Sequence, residues 1–186
     1  MTTLVRIDDP RTRPISATLH DGSTVAVRPL DAQDASALRG FLATVSIDSL
    51  HRRFHGWLEL DRAARALSEI STARDWALVV QGGSPSCIVA HAAWFRTGAA
   101  RAEVAFLVAD AWQGRGLGSL LFASLVDVAL VRGVSCLVAE VLPTNRGMLR
   151  VFERSGHPIS VTPTAGALAL AVEIEIGRAA AAARAA

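Results

Sequence analysis

Six residues, Gln113-Gly114-Arg115-Gly116-Leu117-Gly118, set three glycines at alternate positions just before a strongly apolar stretch. Glycine lets the backbone turn its N–H groups inward and approach a ligand closely, and a helix N-terminus after it adds partial positive charge. The combination favours the oxygens of a bound phosphate or pyrophosphate. A P-loop needs a lysine followed by serine or threonine, yet all 19 basic residues of this chain are arginine. A dinucleotide fingerprint needs a parallel strand-helix-strand unit at its start, whereas the segments before this turn read as antiparallel. Taken alone, the glycines suit a tight, closely packed turn equally well.

Two carboxylates stand by themselves in apolar segments. Glu103 is the one charged residue of 102–109, and Glu140 holds a similar place in 135–141. Apolar neighbours on both sides predict partial desolvation of Glu103, which suits a general base; the bland reading is a wet strand edge. Glu140 is the alternative base. His91 can also accept a proton, although a lone strand histidine is more often a hydrogen-bonded core residue. The basic run His51, Arg52, Arg53 and His55 fits either the mouth of an acceptor site or a solvated helix face. Trp57, Trp76, Trp94 and Trp112 are dispersed and read as core or edge packing rather than as a stacking surface.

These residues need elements to position them. Asp21-Gly22 between 15–20 and 23–28 is the two-residue signal of a β-hairpin. Asp31 is an N-cap for a helix carrying Ala35, Leu38, Phe41 and Leu42, followed by helices over 47–54 and 61–70. These helices form the part of the domain where substrate selectivity would be built. Segments 76–81, 87–95 and 102–109, joined by short turns, predict an antiparallel meander. The glycine turn then opens a helix over 117–132, with a strand over 135–141 after it. Pro143 and Asn145 open a helix that runs to about Arg154 and is closed by Gly156 and Pro158. A final strand pair involves Val161 and 168–176. The expected organisation is a loose arm over 1–14, one domain over 15–176, and a frayed alanine-rich tail over 177–186.

Composition narrows the function classes. A length of 186 residues, half of them apolar, supplies one sizeable core. No apolar run is long enough to cross a membrane, because Asp127 and Arg132 interrupt the longest, and the start lacks the apolar core of a secretory signal. A soluble cytoplasmic protein, monomer or homodimer, without membrane partner is therefore expected. A formal charge of +2 with scattered arginines argues against a nucleic-acid partner. Cys87 and Cys136 lack metal or disulfide spacing and read as buried thiols, so no metal is expected.

The segment from Val104 through Gly118 resembles the GNAT superfamily of N-acetyltransferases, whose signature Q/R-x-x-G-x-G/A comes after a fourth strand and is matched in full by residues 113–118. A second segment of that family is similar to Asn145, Met148, Leu149, Phe152, Arg154 and Gly156 at the expected distance. The resemblance covers about 23–176 and implies an α/β (α+β) fold, with a mixed, largely antiparallel central sheet flanked by helices on both faces. More narrowly, Arg28-Pro29-Leu30, Ser46, Ser49-Leu50, Arg53-Phe54 and 102–106 resemble the catalytic domain of bacterial Pat-type protein lysine acetyltransferases.

That resemblance implies acetyl-CoA as the donor and an amine as the acceptor, foremost a protein lysine such as one on an acyl-CoA synthetase. The alternatives are a small amine and a non-catalytic acyl-CoA-binding regulatory module. By the same likeness, Glu103 occupies the position of the glutamate base. Backbone at Phe106, Leu107 and Val108 would pair with the pantetheine, and Gln113, Gly114, Arg115, Gly116, Leu117 and Gly118 would bind pyrophosphate. Asn145 bonds the pantetheine arm or merely caps its helix, and Arg154 meets the nucleotide phosphates or only solvent. Many members carry a tyrosine, where this chain has Phe152, to protonate the leaving thiolate. No tyrosine exists anywhere in the chain, so water must serve or sulfur must depart as thiolate.

Overall fold

Apolar residues at a spacing of two build eight strands among the described residues: β1 (Ile15–Thr18), β2 (Thr24–Pro29), β3 (Trp76–Gly82), β4 (Cys87–Arg96), β5 (Arg101–Val108), β6 (Cys136–Val141), β7 (Ile159–Pro163) and β8 (Leu170–Glu175). Helical spacing builds α1 (Ala35–Ala43), α2 (Ile47–Phe54), α3 (Leu60–Ser68), α4 (Leu117–Val131) and α5 (Arg146–Glu153). The computed structural model describes residues 14–54, 59–70, 74–164 and 169–177. The expected N-terminal arm up to residue 13 and the tail beyond residue 177 lie outside these, as do His55 and Trp57.

The strands form one sheet in the order β1-β2-β3-β4-β5-β6-β8-β7. Every neighbouring pair is antiparallel except β5 and β6, which are parallel and paired only through Arg101, Ala102 and Glu103 against Cys136, Leu137 and Val138. A parallel neighbour requires a crossover, and here the glycine turn and α4 supply it.

Helices cover both faces, as the fold class requires. On one face α4 and α5 press Leu117, Leu121, Leu125 and Phe152 onto Val27, Leu78, Val104, Leu137 and Ile174. α4 is apolar nearly all round because it is buried nearly all round, from Leu117 at one end to Ala129 at the other. On the opposite face α1 and α3 bring Leu38, Phe41, Leu42, Ala63 and Leu67 over Val79, Ile88 and Leu107, and α2 lies along β5 through Leu50 and Phe54. Asp31 does cap the first helical turn, in a reciprocal box with Asp34, whose carboxylate also takes both guanidinium arms of Arg28 at 2.7 Å. Arg28 and Asp34 thereby fasten the start of α1 to β2.

Two expectations need correction. The β1-β2 connection closes through Leu19 and Ser23, leaving the three-residue loop His20-Asp21-Gly22 with Gly22 at φ 83° in place of a two-residue turn. The extra residue fits because a left-handed third position absorbs the strand twist. Neither cysteine is fully buried: Cys87 is exposed at the start of β4, and Cys136 is half-buried beside Glu173. Burial, with help from Glu173, pushes the Cys136 thiol up to about 11, which leaves it a poor nucleophile at neutral pH. Trp76 and Trp94 are core residues as read from the sequence, and the Arg132 guanidinium lies over both rings. No helix among the described residues is long and apolar enough to cross a membrane.

Candidate active site

The short pairing of β5 with β6 creates the site. β5 is bonded to β4 along its whole length, from Arg96↔Ala102 to Ala90↔Val108, but its other edge loses β6 after Glu103. Beyond that point the two strands diverge and leave a fork. Backbone polar groups on such an edge require partners, and a cavity of about 410 Å³ runs along it past Phe106, Leu107 and Val108 to the glycine turn. A second cavity, of about 120 Å³, sits inside the fork between Glu103 to Phe106 of β5 and Ala139 to Val141 of β6. Arg52, Arg53, Phe106, Asn145 and Met148 line both.

The three glycines of the turn do different work. Gly114 and Gly116 have φ of 75° and 99°, a region closed to most side chains. A Cβ on Gly116 would come within 3.0 Å of the His20 imidazole, and one on Gly118 within 3.0 Å of Val151 in α5. Gly118 is thus a close-packing residue and Gly116 is both strained and hemmed in. Gly116 also caps α4 without offering a side chain, so the first N–H groups of that helix have no side-chain acceptor from their cap. Leu117, Gly118 and Ser119 line the larger cavity. A helix start left open in this way fits a bound pyrophosphate.

Ten of the eleven expected cofactor residues converge on this cavity: Phe106, Leu107, Val108, Gln113, Gly114, Gly116, Leu117, Gly118, Asn145 and Arg154. Arg115 does not. Its guanidinium turns outward to Asp21 at 2.8 Å and to the Ala111 carbonyl at 2.6 Å, stacked on Trp112, and its carbonyl accepts from the His20 N–H. Arg115 holds the β1-β2 loop against the turn, which brings His20 to the cavity wall. Asn145 does cap α5, its side chain accepting from the Met148 N–H at 3.2 Å, and it lines the cavity as well. Arg150, one helical turn before Arg154, lines the same wall. Sequence reading missed Arg150 and His20; the i, i+4 spacing of Arg150 and Arg154 was the available signal for the first, and nothing local pointed to the second.

Gln113 acts through its side chain. Its amide donates to the Val108 carbonyl at 3.1 Å and to Ser49 Oγ at 3.2 Å. Just before it, Asp110 accepts from the Ser46 N–H, the Ser46 hydroxyl and the Ser49 hydroxyl, each at 2.8 Å. Burial works against this carboxylate, but the bonds from Ser46 and Ser49 outweigh it and hold it below the usual aspartate range. The latch fixes the start of α2 to the segment that precedes the glycine turn. Ser46 and Ser49, noticed in the sequence only as part of a resemblance, gain a physical role here.

The latch matters because α2 carries Arg52 and Arg53 to the junction of the two cavities. Glu103 and Glu140 both line the smaller cavity, and both are exposed. Glu103, at the last β5-β6 pair opposite Val138, is thus exposed and not covered as its apolar neighbours predict. His91 is the opposite case: fully buried, with neither ring nitrogen bonded among the described residues. Burial first, and the nearby Arg53 charge second, push it down to about 3. It lines neither cavity and is neutral, so it is a core residue without the hydrogen bond expected of one. Phe152 is also fully buried, packed against Phe106 and Phe122.

Known proteins share this fold. A family model described as the acetyltransferase (GNAT) family matches residues 39–157. The chain is 33% identical over 146 residues to the acetyltransferase Pat of Mycolicibacterium smegmatis, covering 77% of this chain and 44% of that protein. It therefore spans less than half the length of that relative. An acetyltransferase of Pseudomonas aeruginosa is 32% identical over 139 residues, covering 70% of this chain and 73% of its own. Among solved structures, the GNAT domain of S. lividans PAT superposes with a TM-score of 0.78 at 30% identity, covering 87% of this chain and 96% of that one.

Proposed function

The chain belongs to the acetyltransferase (GNAT) family, and from that premise we propose that it moves an acetyl group from acetyl-CoA to an amine, with a protein lysine as the favoured acceptor. The observation that carries this reading is the pair of cavities that meet at the β5-β6 fork. One is walled by an open helix start and a free strand edge, which suit a pyrophosphate and an extended amide-bearing arm. The other brings Glu103 and Glu140, which suit a cationic amine, together with Arg52 and Arg53.

In this mechanism the larger cavity holds acetyl-CoA, with its phosphates at Gly114 to Ser119 and its pantetheine arm along Phe106 to Val108. Arg150 and Arg154 supply positive charge beside the phosphates. The acceptor ammonium enters past Glu103, which takes a proton directly or through one water and so frees the nitrogen lone pair. The amine then attacks the thioester carbon directly, and no covalent enzyme intermediate is needed. Glu140 is the alternative base on the facing strand. Likeness to Pat and to the GNAT domain of PAT supports a protein lysine as the acceptor.

The test is acetyl-CoA consumption with a panel of acceptors: a lysine-bearing acyl-CoA synthetase, lysine peptides and small amines. Turnover on the protein acceptor alone supports the full reading. Turnover on small amines alone moves the acceptor to that class, and acetyl-CoA binding without turnover on any member leaves a binding module.

A further inference from the structure

The proposed reaction places the thioester carbon where acetyl-CoA from the larger cavity and the amine from the smaller one can both reach it. That place is walled by the five residues common to the two cavities, Arg52, Arg53, Phe106, Asn145 and Met148. Phe106 and Met148 are apolar, and the Asn145 oxygen is engaged with the Met148 N–H. Arg52 is exposed and therefore hydrated and screened. Arg53 differs from all of these. Its side chain folds inward from α2 over the Phe54 ring at 4.8 Å, and its Nε is buried with no hydrogen-bond partner among the described residues. A buried donor without an acceptor is uncommon, and each instance calls for an explanation.

We infer that Arg53 is a catalytic residue of this reaction, whose guanidinium stabilises the negative charge that leaves on the coenzyme A sulfur. The inference rests on the proposed acetyl transfer. The amine lone pair forms the C–N bond, the C–S bond breaks, and its electron pair departs on sulfur. Of the two protons the ammonium loses, one passes through Glu103 to solvent and the other ends on sulfur after departure. No tyrosine or lysine exists in the chain to protonate sulfur as it leaves. A cation at the junction stabilises a departing thiolate without a proton donor, and a desolvated cation acts more strongly than a hydrated one. The groups facing it are Glu103, whose charge favours the charged guanidinium, and the neutral His91 beneath it, while burial opposes the charge. Arginine stays charged under such opposition where lysine would shift readily.

Two measurements on the intact chain test this. Coenzyme A is bound to wild type and to Arg53→Met, and its thiolate is titrated by ultraviolet absorbance, with affinity measured by calorimetry and folding by thermal melting. The bound thiol is expected to titrate at least tenfold more acidic in wild type than free thiols near 8.5, and to return to the free value in the variant. Single-turnover rate at saturating acetyl-CoA and acceptor is expected to fall about 100-fold in Arg53→Met, the scale for losing one such charge-stabilising donor, with partial recovery in Arg53→Lys. An unshifted thiol in wild type, or a shift that survives in a folded Arg53→Met protein, overturns the assignment even if the enzyme turns over. A chain that binds coenzyme A but acetylates nothing fails the functional reading alone, because the thiol titration still reports on Arg53. Loss of affinity with an unchanged saturated rate makes Arg53 a binding residue and overturns the inference too.

Discussion

The two cavities that meet at the fork are built from different material. The larger has a backbone-built part, the glycine turn, the start of α4 and the edge of β5, with Asn145, Arg150 and Arg154 along its wall. The smaller brings together charged side chains, Glu103 from β5, Glu140 from β6, and Arg52 and Arg53 from α2. Backbone groups are disturbed only when a substitution changes the conformation that presents them. Side-chain groups are removed by any substitution that deletes them. The first cavity should therefore fail through geometry and the second through chemistry.

The largest expected effect breaks the chemistry and spares the geometry. Glu103→Gln should lower kcat by about 100-fold or more, the usual scale for general acid-base catalysis, and leave acetyl-CoA affinity unchanged by calorimetry. A Glu103→Gln enzyme near the wild-type rate, beside a Glu140→Gln enzyme that binds but does not turn over, moves the base to β6. The reverse separation comes from Gly116→Ala. A Cβ there meets the left-handed φ and the His20 ring together, so acetyl-CoA affinity should fall by about 10-fold or more and stability by roughly 1–3 kcal/mol. Unchanged affinity in a folded Gly116→Ala protein would remove the turn from the cofactor site.

Asp110→Asn tests whether the two cavities depend on a common brace. The carboxylate accepts three bonds from Ser46 and Ser49, and weakening them should cost about 1–3 kcal/mol in chemical denaturation. The Michaelis constant for the acceptor should rise with it, since α2 carries Arg52 and Arg53; a stability loss with unaltered kinetics separates the latch from the site.

His91 gives a smaller, pH-dependent effect. Below about 6.5 the unfolded chain protonates this histidine, whereas the folded protein holds it neutral down to about 3. The unfolded state then binds more protons, so the sign is that stability falls as pH drops across that window, by at most about 1.4 kcal/mol per unit. His91→Leu should remove this increment, and its stability relative to wild type should rise between pH 6.5 and 4. A constant difference across that range would mean that His91 does not titrate only on unfolding. The smallest effect is expected for Arg115→Ala, in the middle of the glycine motif. With its guanidinium on Asp21 and away from the cavity, acetyl-CoA affinity should stay within about threefold, since an exposed pair contributes little; a tenfold loss would put Arg115 at the phosphates.

Much of the backbone-built half is legible in the chain order. Gln113 to Gly118, the apolar run of α4, and Asn145 as a cap ahead of a helix are local patterns, and local patterns fix φ, helix starts and turns. The antiparallel meander of β3, β4 and β5 is legible for the same reason, being three apolar segments joined by short turns. Only the β1-β2 loop departs, because Asp21-Gly22 is compatible with both a two-residue and a three-residue turn until the strand register decides. The side-chain half is legible as residue types and not as an arrangement. Glu103 and Glu140 stand out as isolated carboxylates, but their exposure depends on what the segments packed over the sheet leave uncovered, and no residue in either strand states that.

The sequence by itself determined most of the elements, the glycine turn at the start of α4, the family, and the lack of tyrosine and lysine among these 186 residues. Each of these resides in residue identity or in contacts between near neighbours in the chain. Only the tertiary structure decided that β5 and β6 part after Glu103, that Arg115 faces away from the cavity, that His20 closes its wall, and that Arg53 reaches the junction while His91 lies buried beneath. Each of these depends on packing between segments far apart in sequence. Burial, charge screening and access to a reacting atom are set by that packing and are not carried by any one segment.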